Sequence, residues 1–135
     1  MSGEMNLETI LRNLQPVLLD ASYVFCSLPN KQYGDLDSLS PLASIQEPEG
    51  LTLVLQVQEA KDQALRFHGE FRCIRLQVHS SLESVGLTAA ISTALAHEGI
   101  SANLLAGTHH DHVLVPVQRA LDAMETLQAL SPNQD

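Results

Sequence analysis

Hydrophobic positions change period several times along the chain, and each change marks an element. Leu7, Ile10, Leu11 and Leu14 recur at helical spacing behind Asn6, a residue type that caps helix starts, so a helix is predicted over Asn6–Leu14 and ended by Pro16. Ala21–Leu28 is rich in β-branched and aromatic residues and reads as a strand stopped by Pro29–Asn30. Gln32–Ser44, with Gly34, Pro41 and several Asp and Ser, reads as a long loop. Pro48 and Gly50 bound a strand over Leu51–Val57, and a short helix over Gln58–Arg66 follows. Beyond a boundary at His68–Glu70, Phe71–His79 alternates with Ile74, Leu76 and Val78 toward one face, as a strand does. Gly86–Glu98 is predicted helical, with Leu87, Ile91, Ala94 and Leu95 on one stripe and Gly99 as its left-handed cap. A strand over Ile100–Ala106, a turn at Gly107–Asp111, a strand over His112–Val117 and a helix over Arg119–Leu130 complete the pass.

The two halves carry a repeat. Placing Leu53–Leu65 under Val113–Glu125 matches Val57 with Val117, Gln58 with Gln118, Ala60 with Ala120 and Asp62 with Asp122 at a constant spacing of 60 residues. These identities fall at one strand-to-helix junction, which indicates two degenerate copies of one α/β unit. Each copy is too small to bury a good core alone, so the copies are expected to pack together or against a second subunit.

Charge narrows the partners. The net charge of -9 comes from 16 acidic against 7 basic residues, with no Lys/Arg cluster to displace phosphate counterions. Nucleic acid and anionic membrane surfaces are therefore excluded, and no apolar run reaches the roughly 20 residues of a bilayer span. The N-terminus does not follow the basic-then-apolar order of a signal peptide. Cys26 and Cys73 sit in apolar stretches without C-x-x-C spacing and read as buried, reduced thiols of a cytoplasmic protein. The polar ends, Met1–Met5 and Ser131–Asp135, are expected to fray.

Two stretches carry candidate chemistry. Ser80–Thr88 delivers Gly86 to a helix start, where unpaired N–H groups and the positive helix end suit a carboxylate. The hydroxyls of Ser80, Ser81, Ser84 and Thr88 can add donors, and an α-amino acid is the natural guest. The competing reading is a plain cap by Ser84, with Gly86 chosen for close packing. Gly107–His112 holds His109, His110, Asp111 and His112, which either line a small-molecule site, bind a transition metal or decorate a solvated hairpin tip. His79 is the candidate for a further metal ligand. His68 and His97 are isolated and read as surface residues, and Arg72 and Arg75 point to opposite faces of their strand. No P-loop, G-x-S-x-G or G-x-G-x-x-G occurs, so no catalytic residue is assigned and no cofactor is expected.

Ser84-Val85-Gly86-Leu87, then Leu95 and Glu98-Gly99-Ile100-Ser101-Ala102-Asn103, resembles the ACT-domain signature, in which D-x-P-G-L opens the first helix and G-I-N-I-like residues open the second strand. Ser84 stands where many members carry Asp, and Val85 where they carry Pro. The run His79–Val117 is similar to a bacterial group of uncharacterised tandem-ACT proteins, themselves similar to the animal cytosolic arginine sensors. The resemblance implies an α+β, ferredoxin-like ACT fold with two degenerate units, their antiparallel sheets covered by helices on one face. It divides the chain into 1–67, 68–130 and a tail over 131–135, with the final strand of the second unit missing; Phe71–His79 serving both units, or a subunit partner, would supply it. It further implies a regulatory amino-acid-binding protein, not an enzyme, that assembles through its sheets as a homodimer or higher homo-oligomer. The expected ligand contacts are Ser80, Ser81, Ser84, Val85, Gly86, Leu87, Thr88, Asn103, His110 and Asp111. A ligand-free dimerisation module, or metal binding at His109, His110 and His112, stay as alternatives.

Overall fold

The computed structural model describes residues 3–131, so the expected fraying of residues 1–2 and 132–135 lies outside the described residues. The elements run α1 (Leu7–Arg12), β1 (Pro16–Pro29), β2 (Ala43–Glu47), β3 (Gly50–Gln56), α2 (Val57–Asp62), β4 (Phe71–Leu76), α3 (Leu87–His97), β5 (Asn103–Ala106), β6 (Asp111–Pro116) and α4 (Ala120–Gln128). A single 3-10 turn over Val117–Arg119 joins the last two. The α+β class, with antiparallel strands and helices packed against them, is as the resemblance implied.

By their contacts the described residues form two compact units. Ala21–Phe71 is one unit, while the segment up to Asp20 packs with Arg72 onward as the other. In the smaller unit the strand order is β2-β3-β1, with Tyr23 opposite Gln56 and Pro29 opposite Gly50. Its core is Val24, Cys26 and Leu28 from β1, Leu51, Leu53 and Leu55 from β3, and Ala60 from α2. Leu36 and Leu39 fold down onto that core from the long loop. Strand β2 escaped the pattern because it is a short edge strand with three exposed residues, one of them Ile45, and so shows no apolar alternation.

In the larger unit the strand order is β1-β4-β6-β5. Ile74 and Leu76 of β4 and Val113 and Val115 of β6 meet Ile10, Leu87, Ile91, Leu95, Ala123 and Leu127 from the helices in one buried cluster. The missing strand is supplied by neither expected source. Pro16–Asp20, the start of β1, flanks β4 there, and Gln77 and Val78 N–H donate to Gln15 and Leu14 carbonyls at 3.1 and 3.3 Å. Ile10 of α1 and Leu14 just beyond it thereby enter this core, both fully buried.

Element ends follow their caps. Asn6 Oδ1 accepts from Thr9 N–H at 2.9 Å, as its position predicted. Gly99 closes α3 at φ +72°, with Ile100 N–H donating to Leu95 O, so the strand expected from Ile100 begins only at Asn103. The Arg119 guanidinium donates to the Glu98 and Gly99 carbonyls, placing a cation on the end of α3. Helix α2 stops at Asp62, four residues short of expectation, because Ala64 takes φ +54° and Leu65 N–H turns back to Ala60 O at 3.0 Å. The ends within the described residues are also pinned. Glu4 N–H donates to His79 O, and Ser131, expected to fray, is buried with its hydroxyl donating to Leu11 O at 2.6 Å.

Ala64 pays a left-handed backbone cost that glycine does not. Ala64→Gly should therefore stabilise the protein by about 0.5–1 kcal/mol, read as a higher urea midpoint at unchanged m.

Candidate functional site

The candidate site lies wholly in the larger unit, where the loop before α3 meets the β5–β6 hairpin. Two-residue periodicity settles its hairpin side. Val113 and Val115 face the core, so Asp111 shares their face and His112 takes the other. Asp111 pairs with Ala106 across the hairpin, which Gly107 N–H closes onto His110 O at 3.0 Å. A side chain at Gly107 would meet that carbonyl at 2.9 Å, so glycine fits this tip.

The loop side is braced from the N-terminus. Glu4 N–H donates to His79 O at 2.9 Å, and Ser81 N–H donates to Glu4 O at 2.8 Å. Within the loop, Ser84 N–H donates to Ser81 O, and the Ser81 hydroxyl accepts from Glu83 N–H. Gly86 then starts α3 at φ +102°, where a Cβ would stand 2.9 Å from Leu7 Cδ2. No side chain caps α3, so the reading of Ser84 as its cap does not hold. Among the described residues, the N–H groups of Leu87, Thr88 and Ala89 have no acceptor, as expected for an uncapped first turn.

Between the two sides is a cavity of about 180 Å³, lined by Ser80, Ser81, Leu82, Ser84, Gly86, Leu87, Thr88, Ala89, Ala106 and Asp111. Seven of the expected ligand residues are brought together there: Ser80, Ser81, Ser84, Gly86, Leu87, Thr88 and Asp111. Three are not. Val85 points into solvent at 82% exposure. Asn103 pairs with Leu114 three positions up β5 from Ala106, on the opposite face. His110 turns its Nδ1 to the Leu76 carbonyl at 3.1 Å. Leu82, Ala89 and Ala106 were not foreseen; only the hairpin register places Ala106 beside Asp111, and sequence spacing carries no sign of it.

Burial raises the Asp111 carboxyl above the ordinary carboxylate range, opposed by His112, the Ser80 hydroxyl and His110. Burial also lowers His112, aided by the Arg75 guanidinium and opposed by the Leu105 backbone. His79 stacks near His109 with ring centroids 5.2 Å apart, but no three His, Cys, Asp or Glu side chains among the described residues converge as metal ligands. His109 and His110 have ring centroids 6.5 Å apart, while His110 bonds to the Leu76 carbonyl and His112 to the Leu105 backbone. Both cysteines are free and buried, Cys73 being pushed up to about 11 by burial, which disfavours a nucleophilic thiolate. No helix among the described residues is long and apolar enough to cross a membrane.

ACT-domain family models match residues 2–72 and 69–129. The chain belongs to the ACT-domain family. A crystal structure of a Vibrio cholerae protein of unknown function, described as a possible transport protein, is 44% identical over 93% of this chain and 95% of that one, with a TM-score of 0.83. The regulatory subunit of aspartate kinase from Thermus flavus shares the fold at 13% identity and a TM-score of 0.63, over 85% of this chain and 95% of that one. Escherichia coli aspartokinase III, solved with aspartate and ADP, does so at 12% and 0.66 over 88% of this chain and 34% of its own. No curated protein matches the chain. The ACT membership and these neighbours make a regulatory role the coarse functional assignment.

The two shifted groups give opposite pH slopes. The native state holds the Asp111 proton more tightly than the unfolded chain, so stability falls as pH rises from the ordinary carboxyl value through the raised one. It holds the His112 proton less tightly, so stability rises with pH from the lowered value to the ordinary imidazole value. Urea midpoints across pH should lose the first slope in Asp111→Asn and the second in His112→Gln.

Proposed function

We propose that this ACT-domain protein is an amino-acid-responsive regulator that binds its ligand in the cavity between the Ser80–Thr88 loop and the β5–β6 hairpin. One observation carries the reading: an uncapped helix start and a half-buried carboxylate, Asp111, face the same small cavity. The N–H groups of Leu87, Thr88 and Ala89 receive the α-carboxylate, and Asp111 pairs with the α-ammonium. The hydroxyls of Ser80, Ser84 and Thr88 complete the polar wall. The protein performs no catalysis and acts in the cytoplasm, a placement supported by its two free cysteines. It signals by a population shift, ligand favouring one packing of a homo-oligomer. The aspartate kinase neighbours support the regulatory part of this reading.

A ligand-free interaction module is the second reading, favoured by the exposed Leu82 and Val85 at 67% and 82%. A thermal-shift screen against the twenty amino acids, with divalent metals and chelator in parallel, separates the two. An amino acid at a hundredfold excess over its Kd should add about 2.7 kcal/mol of stability. Asp111→Asn should weaken that ligand roughly 10- to 100-fold while the fold persists, through loss of a charge-assisted hydrogen bond. Gly86→Trp, which places a bulky side chain at φ +102°, should abolish the shift. No shift with any amino acid sinks the sensor reading and leaves the interaction module.

A further inference from the structure

We infer that His79 and His109 together hold a divalent transition-metal ion, which staples the loop before α3 to the tip of the β5–β6 hairpin. The two imidazoles come from different segments of the larger unit and meet with ring centroids 5.2 Å apart and planes inclined at 37°. That spacing suits a shared ion. A metal–nitrogen bond of roughly 2.0–2.1 Å sets each ring centre about 3.2 Å from the ion, so two imidazoles at a tetrahedral angle lie about 5 Å apart. The ring nitrogens are uncommitted. His110 Nδ1 meets the Leu76 carbonyl, whereas among the described residues no hydrogen bond engages a ring nitrogen of His79 or His109.

Both rings are also placed by their surroundings. Gly3 lies so close to the His79 ring that a Cβ there would stand 2.8 Å from Cδ2, and Glu4 N–H holds the His79 carbonyl at 2.9 Å. On the hairpin, Gly107 N–H closes onto His110 O, and the His110 bond to Leu76 O at 3.1 Å fixes the tip beside the end of β4. No third His, Cys, Asp or Glu among the described residues joins the pair, so water fills the remaining positions. A closed structural site uses four protein ligands, so an ion held by two is exchangeable and acts as an effector. Neutral imidazole selects zinc, nickel or copper over magnesium and calcium, which take oxygen ligands. His79 precedes Ser80, and His109 lies between Ala106 and Asp111; those three neighbours line the candidate cavity. The ion therefore ties the cavity's two walls together through residues that do not line it.

Isothermal titration of the untagged full chain with zinc and nickel, without amino acids present, tests the inference. Saturable binding is expected, with His79→Ala and His109→Ala each weakening it at least ~10-fold and magnesium or calcium giving no heat. His109 is exposed, so its removal leaves the fold intact, which an unchanged urea midpoint without metal checks. His68→Ala and His97→Ala should bind as the parent does. Zinc should slow hydrogen exchange in Ser80–Leu82 and Gly107–Asp111 of the parent, and not in those of His109→Ala. Absence of saturable binding overturns the inference, as does a His109→Ala protein that binds zinc as tightly as the parent. Either failure leaves the amino-acid reading standing, since that reading uses neither ring.

Discussion

The larger unit depends on β4 having a neighbour on the side away from β6. Among the described residues, the stretch from Arg72 onward brings three strands, and β4 would otherwise present unpaired N–H and C=O groups beside a buried apolar face. Pro16–Asp20 takes that place, and Arg72 locks it with two side-chain hydrogen bonds to Leu19 O at 2.6 and 3.1 Å. The described residues N-terminal to β1 then cross the same unit. Ile10 and Leu14 fill the core beside Ile91 and Leu95, and Leu7 lies behind Gly86. Glu4 ties both sides of the His79–Ser81 turn. The strand that closes the sheet thereby also shapes the loop that lines the cavity.

The site's chemistry follows from that bracing. A loop held at its backbone keeps Gly86 in a left-handed conformation, which leaves the first turn of α3 without a side-chain cap. Uncapped N–H groups are costly when dry, and stay tolerable while water or an anion reaches them. Asp111 supplies the complementary charge from the hairpin, at the depth where burial already raises its pKa. Donors and a carboxylate lining one cavity describe a zwitterion's shape more specifically than either does alone.

The two copies of the tandem repeat have diverged, and the candidate cavity lies in one of them. At the shared junction, Val57 opens α2 as Val117 opens the turn before α4, and Ala60 and Ala120 are both buried. Between their first two strands the units differ. One holds the eleven-residue α3 there, and the other a loop whose Leu36 and Leu39 pack on the core.

The amino-acid sequence by itself determined most elements and the helix start. Periodicity located α1, α3, α4, β3, β4 and β6, because each has one buried face whose spacing is written in the order of residues. Asn6 and Gly99 marked their caps, and Ser80–Thr88 with Asp111 were singled out as candidates that the fold brings to one cavity, because capping and turn chemistry act over three or four residues. What lies further apart was decided only in the tertiary structure. The edge strand β2 carries no alternation, the place of β1 beside β4 is a long-range pairing, and Ala106 reaches the cavity through hairpin register. Asn103 lies away from the cavity for the same reason, since three positions along a strand reverse the face. Local sequence specifies how a segment is shaped; which segment it meets is set by burial and pairing across the whole chain.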